Sequence, residues 1–131
     1  MSDFTIRNLK EVEDSAPKFG LSPELEARFA RVPLECATTG ISYQRLAPNF
    51  RIPFGHRHGA QEEVYVLVSG SGRIRLDDEV RDLRPWDAIR VAAGTMRGFE
   101  AGPDGAELLA FGAPTENGVN DAEMIPDWWS D

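Results

Sequence analysis

Among its 131 residues the chain has a single cysteine, Cys36, and two histidines, His56 and His58. A lone thiol forms no intrachain disulfide, so Cys36 reads as a small buried hydrophobe. No run of eighteen apolar residues occurs, which excludes a membrane-spanning helix. The opening Met1-Ser2-Asp3-Phe4-Thr5 lacks the basic and apolar regions of a secretory leader, so a cytoplasmic location is expected. Positive charge is also scarce: 14 basic residues face 22 acidic ones, for a net charge of -8. Such a field repels phosphate backbones and anionic headgroups, which argues against nucleic acid and membrane surfaces as partners. There is no glycine-rich phosphate loop, no Ser-His-Asp set and no cysteine pair. Both histidines lie in one short stretch, so none is left over to act as a separate base.

What is present fits one ordinary domain spanning residues 1–131, with 41% apolar and 27% charged residues. Residues 1–34 form a charged arm. Within it Ser22 reads as an N-cap, Pro23 as the first helical position, and Glu24 and Glu26 as first-turn acids, so the pattern predicts a short helix over 23–30. Leu25 and Phe29, four apart, would share its buried face.

Residues 35–112 change texture. Short stretches of Val, Ile, Leu, Tyr and Phe are broken by Pro48-Asn49, Ser69-Gly70-Ser71-Gly72, Asp77-Asp78, Pro85-Trp86-Asp87, Ala93-Gly94 and Gly102-Pro103-Asp104-Gly105. This spacing predicts about eight strands. No crossover helix fits between them, so neighbours should pair antiparallel, in a barrel or jelly roll, with an immunoglobulin-like sandwich as the competing architecture. Residues 113–131 form a tail, entered by a polar loop. Its adjacent Trp128 and Trp129 are too apolar to stay wet, so it should dock on its own barrel or on a second subunit.

The chemistry concentrates at His56-Arg57-His58. In a strand, alternate side chains share a face, so both imidazoles point the same way, and Glu63, at the start of the next strand, can fold back beside them. Two imidazoles and a carboxylate suit one divalent transition metal, Zn, Fe, Mn, Ni or Cu, and leave coordination positions open. Tyr65, two residues beyond Glu63, falls on the same face. Phe54 and Phe99, if they point inward, supply an aromatic wall.

This pattern resembles the first motif of the cupin superfamily: His-x-His, four residues, Glu, six residues, Gly. The chain reads His56-Arg57-His58, Gly59 to Glu62, Glu63, Val64 to Ser69, Gly70. The glycine that the motif expects six positions before the first histidine is replaced by Phe50, with Asn49 beside it as the residue best able to take up the turn. The resemblance spans residues 42–112 and implies an all-β cupin jelly-roll barrel, a double-stranded β-helix, here with one short N-terminal helix. It also implies a single-domain cupin that acts on or senses a small molecule, in a fold shared by oxygenases, isomerases, decarboxylases and sensors. Small cupins commonly pair, so a homodimer is expected.

The second cupin motif is degraded. Aligned on Gly94, Trp86 stands at its first glycine, Ala92 at its proline, Arg97 at its ligand histidine and Ala101 at its asparagine. Asp87–Val91 and Arg97–Ala101 still read as the two paired strands of that hairpin. A guanidinium offers no lone pair, so Arg97 does not replace the fourth ligand. Three outcomes are open. Arg97 pairs with Glu63 in a metal-free ligand-binding barrel; it stands off the metal and clamps an anionic ligand, with Tyr65 and Phe99 beside it; or it turns outward.

Overall fold

The computed structural model describes residues 3–113 and 121–131; the polar loop at 114–120 lies outside the described residues. Two long antiparallel strands organise the molecule, β4 (Glu63–Leu76) and β7 (Arg97–Gly112). Around them lie β1 (Leu25–Phe29), β2 (Ile41–Leu46), β3 (Phe54–His58), β5 (Glu79–Leu83), β6 (Ala88–Val91) and β8 (Ala122–Pro126). The eight form one curled sheet. Its path runs β1-β2-β7-β3-β8, and β4 adds β5 and β6 on the far side of β7.

The predicted cadence of short strands proves coarser than expected. Ser69-Gly70-Ser71-Gly72 is not a turn but a pair of register shifts inside β4, and Gly102-Pro103-Asp104-Gly105 lies inside β7. Before the first shift Tyr65 and Leu67 face the core, and after it Ile74 does, because one extra residue reverses which alternate positions point inward. Gly70 sits at φ 84°, and a Cβ there would lie 2.1 Å from the Gly105 carbonyl oxygen, so only glycine fits the bend. The core is Leu25, Ala27, Leu46, Ile52, Tyr65, Leu67, Ile74, Val91, Phe99 and Leu108, with small alanines where strands approach closely.

The helix predicted over 23–30 does not form. Its capping residues mark one tight turn, in which the Leu25 N–H donates to the Leu21 carbonyl at 2.9 Å. The chain then extends as β1. There Leu25 and Ala27 alternate into the core, Phe29 is 51% exposed, and the strand pairs with β2 in register Leu25 to Leu46. Two residues of apolar alternation, secured by sheet hydrogen bonds and by the Asp14 carboxylate on the Ala27 N–H, outweigh a weak local helix preference. The arm's only helical pieces among the described residues are 3-10 turns at Leu9–Glu11 and Ala16–Phe19.

The hairpin expected from the second motif is also reorganised. β6 pairs with β4, and β7 pairs with β2, β3 and β4. The conformation that motif needs survives, because Trp86 takes the glycine-like φ of 76°, and Asn49 adopts φ 61° at the first motif's turn. The tail docks on its own barrel. Trp128 covers Gly55 and Gly98 and stacks under the Arg75 guanidinium at 4.2 Å, while the Trp129 indole donates to the Ile52 carbonyl at 3.1 Å. Cys36 is half-buried rather than buried.

Candidate metal centre

β3 places His56 and His58 on one face, as strand alternation requires, and their rings meet edge to face at 5.2 Å. Glu63 joins them from the start of β4. The two strands are not a hairpin, since β3 pairs with β7 and β8. What brings Glu63 in is the 59–62 connection, tied to Asp121: the Ala60 and Gln61 N–H groups donate to Asp121 Oδ2 at 2.7 and 3.2 Å, and the Gly59 N–H to its carbonyl at 3.2 Å.

One carboxylate oxygen, Glu63 Oε1, is the hub. It lies 3.1 Å from His58 Nε2 and 3.5 Å from His56 Nε2, and the donor atoms of all three residues fall within 4.8 Å of one another. Ligands of one tetrahedral zinc ion sit about 3.3 Å apart, so the spacing and the donor types fit a single first-row divalent ion. The Tyr65 hydroxyl donates to the same oxygen from inside the barrel and lies 3.4 Å from His56 Nε2. Its ring packs against Phe99 at 4.8 Å, so both aromatic residues face the core beneath the group. Phe54, at the start of β3, is half-buried against the same core.

Arg97 completes the floor. It is 0% exposed, which removes the outward outcome, and it stands opposite His56 in the β3–β7 register. Its terminal nitrogens donate to the carbonyls of Ala92 at 3.3 Å and of Ala93 and His56 at 3.5 Å, and one of them lies 3.9 Å from Glu63 Oε1. Nε has no partner among the described residues. Solvent reaches the cluster at His56, the most exposed of its three residues.

The electrostatics favour a charged carboxylate. Burial pushes the Glu63 carboxyl up, but hydrogen bonds from His56, His58 and Tyr65 and the charge of His58 outweigh it and hold the group well below the usual carboxylate range. The hydrogen bond to Glu63 raises His58 against the opposing effect of burial, and Asp121 adds to the rise. Burial and the neighbouring Glu63 charge push the Tyr65 hydroxyl far up, so it stays a donor.

Asp121 is the residue that sequence reasoning missed. It lies immediately before β8, and its Oδ1 is 2.8 Å from His58 Nδ1. Burial raises its carboxyl, but the Ala60 N–H, His58 and the Gln61 N–H bring it down to about 2. Nothing in the tail's composition marked it, because its partners are sixty positions away along the chain.

No family model matches the chain, and neither does any curated protein sequence. Solved structures do. A cupin protein from Bacteroides fragilis superposes with a TM-score of 0.71 at 21% identity, covering 92% of this chain and 91% of that one. The polyketide cyclase RemF from Streptomyces resistomycificus gives 0.73 at 18%, covering 97% and 87%. A salicylate 1,2-dioxygenase from Pseudoaminobacter salicylatoxidans, in adducts with gentisate, gives 0.68 at 15%, over 87% of this chain and 33% of that larger one. The fold is therefore that of the cupins, a jelly-roll barrel of antiparallel strands. Among the described residues no helix is long and apolar enough to cross a membrane.

Proposed function

We propose that this cupin-fold chain binds one divalent transition metal through His56, His58 and Glu63, and a small anionic organic molecule at the metal's open positions. The observation that carries the reading is the convergence of two imidazole nitrogens and one ionised carboxylate oxygen within 4.8 Å, at a place solvent can reach. Arg97, Tyr65 and Phe99 form the floor. Arg97 adds a fixed positive charge that, together with the ion, exceeds what Glu63 and Asp121 neutralise, and an anionic ligand answers that excess. The neighbours named for salicylate, gentisate and polyketide chemistry support a small organic ligand.

A metal here would act as a Lewis acid, or as the site of oxygen chemistry, in an oxygenase, isomerase or decarboxylase reaction. The chain's own residues do the rest. Tyr65 donates a hydrogen bond to Glu63 Oε1 and keeps that oxygen oriented, Arg97 anchors the loop carbonyls of Ala92 and Ala93, and the aromatic floor excludes water from below.

A second reading rests on the Arg97–Glu63 approach of 3.9 Å: a metal-free ligand-binding or sensing barrel in which the guanidinium already neutralises the carboxylate. Elemental analysis separates the two. About one equivalent of metal, removable by a chelator and absent from His56→Ala, is the expected result. Protein that takes up neither zinc, manganese nor iron at neutral pH would leave the second reading standing.

A further inference from the structure

A histidine ligates a metal through one ring nitrogen only when that nitrogen carries a lone pair, and the partner of the other nitrogen decides this. For His58 the geometry is explicit. Nε2 faces the ligand cluster at 3.1 Å from Glu63 Oε1, and Nδ1 faces Asp121 Oδ1 at 2.8 Å. His58 is the less exposed of the two histidines, with 9% of its side chain accessible against 25% for His56, so solvent reaches it less.

Asp121 is itself held rigidly. Its second oxygen accepts from the Ala60 and Gln61 N–H groups, and its own carbonyl accepts from the Gly59 N–H. Both carboxylate oxygens are therefore committed, one to the imidazole and one to the loop that delivers Glu63. The residue comes from the segment leading into β8, which pairs with β3 along Phe54 to His58. No other acceptor for His58 Nδ1 exists among the described residues.

We infer that Asp121 is a positioning residue of the metal centre: it keeps the proton of His58 on Nδ1, presents Nε2 as a lone-pair donor, and makes the carboxyl-terminal strand part of the site. The inference rests on the metal reading above. An aspartate is needed here and an asparagine does not serve. The amide introduced by Asp121→Asn has one acceptor oxygen for two sets of donors. It must either abandon the Ala60 and Gln61 N–H groups or turn its NH2 toward His58 Nδ1, which moves the proton to Nε2 and blocks ligation.

The test is a zinc titration of the full chain against a competing chromophoric chelator, with ¹⁵N-edited NMR of the zinc-loaded protein. Asp121→Ala and Asp121→Asn should each weaken zinc about 10- to 100-fold, the usual loss for an outer carboxylate partner of a ligand histidine. In the wild type at saturating zinc, the His58 Nδ1–H should give a slowly exchanging signal; in Asp121→Ala at saturating zinc it should be lost to solvent exchange. The signal separates proton placement from a general loosening of the 59–62 loop, and its wild-type arm does not depend on any variant folding. Unchanged zinc affinity in both variants, or a wild-type Nδ1–H in fast exchange, would overturn the role of Asp121 while leaving the metal site intact. Wild-type protein that takes up no zinc overturns the metal reading and this role together.

Discussion

Arg97 shows how much one side chain can be asked to do when it is buried whole. Its guanidinium is 0% exposed and satisfies three carbonyls while facing a carboxylate. Arg97→His replaces a cation with a ligand at the position opposite His56, so zinc affinity should rise, by at least tenfold in competition titrations. The same change removes the charged hydrogen bonds to the Ala92, Ala93 and His56 carbonyls, of which the first two keep the Thr95 and His58 N–H groups as donors, and metal-free protein should lose about 1–3 kcal/mol in urea unfolding. The two effects have opposite signs, and a variant that altered neither would show that position 97 does not face the centre. Tyr65 and Glu63 were legible from the sequence for a simple reason: the site's inner shell is local, and alternation along β3 and β4 decides which side chains converge. Asp121 was not, because a distant carboxylate carries no periodic signal.

At the scale of elements, the docking of the tail against β3 depends on an absence of atoms. A Cβ at Gly55 would lie 2.5 Å from the Trp128 ring, which also covers Gly98 on β7. Gly55→Ala should therefore displace Trp128, lower stability by about 1–3 kcal/mol and red-shift the indole fluorescence. Gly94→Ala, which meets nothing within 4 Å, should change neither. The strands also show where reading by local pattern reaches its limit. About eight were expected between residues 35 and 112, and the described residues hold eight, but β1 and β8 come from the arm and the tail, while two apparent turns are irregularities within β4 and β7. Glycine-rich tetrapeptides mean a bulge or a turn depending on whether a partner strand continues past them, and that is a tertiary fact. The helix expected at 23–30 failed for the same reason: the vacant edge of β2 offered Leu25 and Ala27 more than a cap could.

For the whole molecule, a net charge of -8 conceals carboxylates that the fold needs ionised. Hydrogen bonds from the Ser69 and Tyr43 hydroxyls lower Glu107, a hydrogen bond from Arg28 lowers Glu26, and for Asp14 the N–H groups of Ala27 and Ala16 outweigh the opposing effect of burial. Each folded-state value lies below the unfolded one. Their contribution is thus complete above the ordinary carboxylate range near pH 4 and is lost as pH falls through and below it. His58 has the opposite sign: its folded-state value lies above the unfolded one near 6.5, so its contribution is complete below that pH and is lost as pH rises through the folded value. The urea midpoint of the metal-free protein should therefore rise as pH falls towards about 6 and decline steadily below about pH 5.

The centre also combines near and far neighbours in a way that bears on what an ion does for the folded state. His56, His58 and Glu63 lie within eight consecutive residues, whereas Arg97 and Asp121 reach the histidines across 41 and 63 positions. A stretch that short remains a chelator after the barrel has melted. Affinity of the denatured chain for an ion subtracts from the stabilisation that native affinity alone would give. Added metal should then protect the fold less than its tightness in the native protein suggests. What the native chelate gains over the denatured one comes from the aspartate, which only the finished barrel brings within reach, while the arginine, a cation beside the ion, subtracts from it.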